Sequence, residues 1–186
     1  MKRNKILLGL LVACVTTAVQ AQAPPSVPKP DPAIKKKLHV LAGHWTYEGE
    51  YKPGPWGPGG KIIGEYNGQT ILGGFFFQGR EVEKGSMGEM RNLEIDEWNP
   101  VSKHFTSNIY QDDGSRFVGT LSVEGNTITW AGKFTVAGNE FQLREPLVLA
   151  ADLKTGTAKA EISIDGNTWT PFFEAKFTKA ETAPKK

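Results

Sequence analysis

Residues 116–150 read RFVGTLSVEGNTITWAGKFTVAGNEFQLREPLVLA, three apolar–polar alternations separated by Glu124-Gly125-Asn126-Thr127 and Ala137-Gly138-Asn139-Glu140. A third tetrad of the same kind, Asp165-Gly166-Asn167-Thr168, follows downstream. Each sets a glycine at the first central position of a two-residue loop, where a type II′ hairpin turn requires positive φ. Pairing outward from the first turn puts Val123 opposite Ile128, Leu121 opposite Trp130 and Phe117 opposite Phe134. The second turn puts Val136 opposite Phe141, Phe134 opposite Leu143 and Trp130 opposite Leu147; the third puts Ile164 opposite Trp169 and Ala160 opposite Phe173. Apolar meets apolar on one face throughout, while Arg116, Thr127, Lys133, Arg144, Lys159, Glu161 and Lys176 share the other.

Extended in both directions, the same period gives strands near 43–52, 61–67, 69–83, 87–98, 103–111, 116–124, 127–137, 140–150, 157–165 and 168–178. Asn67-Gly68 is a two-residue turn signal of type I′, and Asn99-Pro100 and Asp112-Asp113-Gly114 are longer ones. Short loops between all neighbours make an antiparallel meander. So many strands with one apolar and one solvated face close most economically into a barrel, which removes the exposed edges. The expected fold class is therefore all-β, a single antiparallel meander barrel of about ten strands with one short N-terminal helix. A two-layer sandwich with the same meander is the alternative. The helix begins at Asp31-Pro32, an N-cap followed by proline at the first helical position, and carries Ile34, Leu38 and Leu41 at helical spacing before Gly43.

Two faces stay open. If Asp112-Asp113-Gly114 is a type I turn with a glycine bulge, Phe105, Ser107 and Ile109 point inward; a two-residue turn sends His104, Thr106, Asn108 and Tyr110 inward instead. The apolar option is favoured, because a one-residue slip puts apolar residues in water. Of Phe75, Phe76 and Phe77, at least one must point outward.

The chain has 186 residues, enough for one well-packed domain. It opens on MKRNKILLGLLVACVTTAVQAQA, with a basic start (Lys2, Arg3, Lys5), an apolar run and small residues at Ala21 and Ala23, the pattern of a secretory signal peptide. Residues 1–21 are assigned as signal peptide, 22–33 as a proline-rich linker, 34–180 as the barrel domain and 181–186 as a disordered tail. Residues 23–33, APPSVPKPDPA, hold five prolines and read as extended. Localisation is then periplasmic or secreted. The alternative is a lipoprotein, since Leu11-Val12-Ala13-Cys14 resembles a lipobox that would anchor the chain to a membrane through Cys14, the single cysteine. Cleavage after Ala21 removes three basic and no acidic residues from a balance of 22 basic and 20 acidic, leaving a formal charge of −1 and no basic surface for nucleic acid.

Several segments together carry a family resemblance: the Leu-x-Gly-x-Trp of Leu41 to Trp45, Ile71-Leu72-Gly73-Gly74-Phe75, Trp98-Asn99-Pro100, and Asp165-Gly166-Asn167-Thr168-Trp169 followed by Phe173 to Lys179. These resemble the bacterial domain-of-unknown-function 1579 family. The resemblance implies a calycin-type barrel, the group of lipocalins and fatty-acid-binding proteins, and implies no common activity. Gly43-His44-Trp45 is also similar to the lipocalin opening, in which the tryptophan closes one end of the barrel.

No catalytic set stands out: there is no Gly-x-Ser-x-Gly, His39, His44 and His104 lack a metal-ligand spacing, and Ser163 to Trp169 is similar to a single Asp-box that stabilises a hairpin. No cofactor is expected. Pro53 to Gly60 reads as a lid at the barrel mouth presenting Trp56. Glu145 is the odd residue, a carboxylate on the same face as Leu143, Leu147 and Phe134, with Arg91 as the inward partner if Leu93 and Ile95 also face in. The expected function is binding of a small apolar or amphiphilic ligand inside the barrel, with Trp45, Tyr47, Arg91, Trp130, Glu145 and Phe173 as the ligand-binding residues. The alternative is a filled barrel acting as a protein-interaction scaffold or homodimer through outward Phe75 or Phe77, Phe172 and the Trp56 loop.

Overall fold

The computed structural model describes residues 32–86, 88–99, 101–102 and 104–180. The signal peptide, lipobox, most of the linker, the Asp31 cap and the C-terminal tail lie outside the described residues. A short helix, α1 (Pro32–Leu38), runs into a 3₁₀ turn (His39–Leu41). Ten strands follow: β1 (Gly43–Tyr51), β2 (Gly60–Ile71), β3 (Phe76–Gly85), β4 (Gly88–Asn99), β5 (His104–Gln111), β6 (Arg116–Glu124), β7 (Thr127–Val136), β8 (Asn139–Leu149), β9 (Thr155–Ser163) and β10 (Thr170–Lys179). Each pairs antiparallel with the next, and β1 pairs with β10 from Trp45 opposite Lys179 to Tyr51 opposite Phe173, closing the barrel. A closed barrel leaves no unpaired edge, and period-two alternation then divides every strand into an inner and an outer row.

The turn registers hold in part. The first is as expected, with Leu121 opposite Trp130 and Phe117 opposite Phe134. At the second, Ala137 (φ 48°) and Gly138 (φ 77°) form the central pair, so Val136 pairs with Asn139 and the register sits two residues from the expected one. A turn with both central residues left-handed matches the twist of its strands as a type II′ turn does, so the hairpin closes one residue earlier at no cost in twist. Because the displacement is even, every side chain keeps its face, but Glu145 rather than Leu147 now stands opposite Trp130. At the third, Ala160 does pair with Phe173, yet a bulge intervenes at Pro171–Phe173 and Ile164 is exposed instead of facing Trp169. Asp165 explains this: its Oδ1 accepts from the amides of Asn167 (2.8 Å) and Thr168 (2.7 Å) and from Ser163 Oγ (3.0 Å), a local network that replaces the two-residue turn.

Asn67-Gly68 is not a turn. β2 runs through it, and the reversal comes at Leu72 to Gly74, where Leu72, Gly73 and Gly74 all have positive φ. Gly68 is needed for close approach, since a Cβ there would lie 2.5 Å from the Leu41 carbonyl oxygen and the Phe77 ring. On β5, Phe105 and Ser107 are buried and Tyr110 is exposed, the favoured of the two faces.

Both ends of the barrel are plugged by aromatics. At the end where α1 enters, Trp45 is 2% exposed and donates from Nε1 to the Leu41 carbonyl (3.2 Å). At the other, Trp56 donates to the Lys52 carbonyl (2.7 Å) and packs edge-on to Phe141 and Phe172 at 6.2 and 5.2 Å. Phe77 (0% exposed) and Phe172 are core residues, and Trp56 is half-buried. The outward aromatic patch expected at Phe75 or Phe77, Phe172 and the Trp56 loop is thus corrected: Phe77 and Phe172 are buried, and Phe75 and Trp56 are each half-buried.

Candidate functional site

The inner rows of β3 and β4 reverse the usual pattern. Phe77, Gly79, Glu81 and Glu83 point inward from β3, opposite Asp96, Glu94, Asn92 and Met90 of β4, while Leu93 and Ile95 face outward. With Glu145 on β8, five carboxyl groups enter one barrel. Burying a carboxyl without partners costs several kcal/mol, so neighbouring donors and protonation decide its state.

The donors come from the other inner rows. Tyr47 and Tyr51 of β1 both donate to Glu83 Oε2, at 3.1 and 3.2 Å. Tyr66 of β2 donates to Glu94 Oε2 at 2.7 Å, and Trp130 of β7 donates from Nε1 to Glu94 Oε1 at 2.7 Å. Asn92 Nδ2 donates to Glu81. Among the described residues, both carboxyl oxygens of Asp96, which is 0% exposed, and the hydroxyl of Ser107 opposite it lack a hydrogen-bond partner.

Protonation follows from burial. Removal from water pushes Glu145 up to about 8, helped by repulsion from Glu81, Glu94 and Glu83. Burial and then Glu81 push Glu83 up to about 7 against the lowering effect of the Tyr47 and Tyr51 hydroxyls. Glu81 and Glu94 are raised by burial, and Asp96 is raised well above the usual range by burial and then by Glu94. Tyr47, Tyr51 and Tyr66 are raised by burial too and stay neutral donors.

Tyr47 reaches Glu83 only because position 64 has no side chain. A Cβ on Gly64 would lie 2.1 Å from Tyr47 Cζ and 2.3 Å from its hydroxyl oxygen. Gly64→Ala is expected to cost about 1–3 kcal/mol through overpacking and loss of the Glu83 hydrogen bond. Urea unfolding checks this, and most of the loss should disappear in a Tyr47→Leu background; an undiminished loss there would place the clash elsewhere.

Around these groups lie two inner cavities of about 110 Å³ each. One, toward Trp45, is lined by Trp45, Tyr66, Glu94 and Leu147; the other, toward the opposite end, by Tyr51, Asn92, Phe134 and Phe173. Glu81, Ile109, Trp130, Glu145 and Phe177 line both. Glu145 keeps some accessible surface although it sits deep in the barrel, because the surface it shows faces these cavities. A third cavity of about 210 Å³ lies beneath Trp56 and shares Tyr51, Glu83, Gln111, Phe134 and Phe172 with the second.

Of the six residues expected to bind ligand, Trp130 and Glu145 line both inner cavities, Trp45 and Phe173 one each. Tyr47 is buried against Phe173 and Phe177, with ring centroids 6.5 and 4.7 Å away, and orients Glu83. Arg91 is the exception and a correction: its side chain is 67% exposed on the outer face and pairs with Glu89 at 2.7 Å, because β4 turns Asn92 and Glu94 inward. Glu81, Glu83, Asn92, Glu94, Asp96, Tyr51 and Tyr66 were not anticipated. One signal pointed to them: with Phe105 inward and Trp98 opposite it, Asp96, Glu94 and Asn92 must share the inner face. Among the described residues, no group of three or more His, Asp or Glu is arranged to hold a metal ion.

The family model described as "Protein of unknown function (DUF1579)" matches residues 31–179. None of the curated proteins compared with the chain matches it. Among solved structures, the crystal structure of Rv2717c from M. tuberculosis is similar, with a TM-score of 0.60 and 16% identity over 81% of this chain and 99% of that one. A de novo designed fluorescence-activating β-barrel is matched at a TM-score of 0.42 and 13% identity, covering 77% of this chain and 96% of the design. At 16% identity the likeness to the M. tuberculosis structure is one of fold alone.

Proposed function

The chain belongs to the DUF1579 family, whose description assigns no activity, and on that premise we propose that it is an exported, calycin-type barrel that binds one small, partly apolar molecule in its interior. The observation that carries this is the pair of inner cavities meeting at Trp130, Glu145, Glu81, Ile109 and Phe177. Aromatic and aliphatic walls with a few convergent polar groups are the composition of a small-molecule site. Each inner cavity is somewhat smaller than one that holds benzene, roughly 150 Å³, so the ligand is narrow and extends along the barrel axis. The basic, apolar and small-residue segments of residues 1–23 support export, with cleavage near Ala21 or Ala23 or, alternatively, acylation at Cys14.

Native mass spectrometry of protein recovered from the periplasm of an exporting host tests both parts. The expected spectrum shows a mature chain beginning after Ala21 or Ala23 and a co-purifying small molecule lost on activation. Full-length chain in the cytoplasm would overturn export. Bare protein that also gives no binding heat with the narrow neutral probe 4-phenylbutan-1-ol would overturn binding.

A further inference from the structure

The chemistry of the inner wall restricts what such a ligand can be. Glu81, Glu83, Asn92, Glu94, Asp96 and Glu145 face the interior, and among the described residues none of the ion pairs involves an inner carboxyl: the paired acids are Glu50, Glu89, Glu140, Glu161 and Glu174 on the outside. Lys179, at the Trp45 end, is held by the Val40 carbonyl (3.2 Å) and lies over the Trp45 ring (5.1 Å). The donors that do reach the carboxyls are neutral, three tyrosine hydroxyls, the Trp130 indole and the Asn92 amide. A fatty acid or phosphate head placed here would find no cation to receive it, and its charge would oppose ionisation of every carboxyl around it.

The unsatisfied buried atoms among the described residues are carboxyl and amide oxygens, apart from the Ser107 hydroxyl. Among the described residues Asn92 Oδ1, whose residue lines the second inner cavity, lacks a partner, whereas the Asp96 oxygens and the Ser107 hydroxyl stand opposite one another on β4 and β5 and line neither inner cavity. Among the described residues no hydrogen bond or ion pair engages the Glu145 carboxyl, which lines both cavities. Buried acceptors left open in this way mark a place where a donor-bearing group is missing.

We infer that the barrel selects a positively charged ligand, a small protonated amine or amidinium with an apolar body, whose cationic head sits between Glu81, Glu94 and Glu145 where the two inner cavities meet. This rests on the reading of the barrel as a binding site. Trp130 stands beside that point, with its indole nitrogen fixed on Glu94, and offers an aromatic surface to the cation. Ile109, Phe177 and Leu147 receive the apolar body. Entry of the cation favours the ionised form of Glu145 and expels its proton to solvent, so affinity rises with pH until Glu145 is ionised in the free protein. The groups facing Glu145 that share this titration are Glu81 and Glu83 of β3, Glu94 of β4 and Tyr51 of β1.

Isothermal titration with three near-isosteric probes, 4-phenylbutylamine, 4-phenylbutan-1-ol and 4-phenylbutanoate, separates the possibilities. Near neutral pH the amine should bind about tenfold or more tightly than the alcohol, the gain of a charge-assisted hydrogen bond, with the carboxylate weakest. Heats measured in buffers of different ionisation enthalpy should show proton release for the amine only. Glu145→Gln should abolish the advantage of the amine over the alcohol, and alcohol binding that is still measurable reports an intact cavity; Glu81→Gln serves the same purpose should the first variant fail to fold. Alcohol or carboxylate binding as tightly as the amine, or an amine advantage that survives both substitutions, overturns the cation assignment while binding stands. If none of the three binds, the interior is not a ligand site and the assignment falls with it.

Discussion

Thermal unfolding monitored by circular dichroism is expected to show a midpoint lower at about pH 9 than at about pH 5 by roughly 10–20 °C, the reverse of ordinary acid lability. The sign follows from the direction of the shifts. Glu145 and Glu83 have folded values near 8 and 7 against an ordinary 4.5, so the folded state holds their protons more tightly than the unfolded chain. Their stabilising contribution is complete below the unfolded value and is lost as pH rises through the folded values. Each pH unit of separation corresponds to roughly 1.4 kcal/mol, so these two groups together remove on the order of 5 kcal/mol across that window. That is a large part of the stability of an ordinary domain, about 5–15 kcal/mol. Glu81, Glu94 and Asp96, raised in the same direction, steepen the loss. Glu145→Gln, an isostere of the protonated acid, should flatten the profile and raise the midpoint most at the alkaline end. A midpoint that climbs from pH 5 to pH 9 would mean that the interior solvates its carboxylates.

The same carboxyls mark where the sequence stops being legible. From β6 to β10 most apolar residues keep to the inner row, with Val118 and Val148 exposed on the outer one and Glu145 the acid that joins the inner row, and turn chemistry plus the two-residue period recovered barrel, strand count and core. Even the displaced register at Ala137-Gly138 left every face unchanged, since a shift of two is invisible to the period. In β3 and β4 the segments Glu81-Val82-Glu83 and Leu93-Glu94-Ile95-Asp96 also alternate cleanly, but with the opposite phase: Val82, Leu93 and Ile95 face out and the acids in. Placing apolar residues inside therefore predicts the wrong face there, and with it an inward Arg91. Local patterning disagreed with the closure imposed by β2 and β5, and closure won. Such disagreement is expected where a sequence gives up stability for a functional interior. The tyrosines and tryptophan that satisfy the acids come from β1, β2 and β7, far apart in the chain, so the pairing is a property of the closed barrel and of no segment alone.

Trp45→Ala is expected to destabilise the protein by about 3–5 kcal/mol in urea unfolding, against about 1 kcal/mol for Trp45→Phe. The phenylalanine keeps most of the apolar burial and loses the hydrogen bond from Nε1 to the Leu41 carbonyl; the alanine loses the ring as well. The difference between the two isolates what the ring does as a plug. Trp45 stands between the inner cavity and the entering segment, with Leu41 beside it and Lys179 lying over its face. Removing it joins the void left by the indole to the cavity already lined by Tyr66, Glu94 and Glu145 and loosens the 3₁₀ turn His39–Leu41 from the barrel floor. Two further observations should accompany the loss. Amide exchange at Val40 to Ala42 should accelerate more than at β7 or β8, and added indole should restore part of the stability, as apolar ligands do in cavities made by truncation. A variant within about 1 kcal/mol of the parent would show that the end is closed by backbone alone. Water admitted from that end would also solvate Glu94 and Glu145 and lower their folded values, so Trp45→Ala should weaken the pH dependence of unfolding as well as the stability itself. A ring that merely filled space would change only the latter.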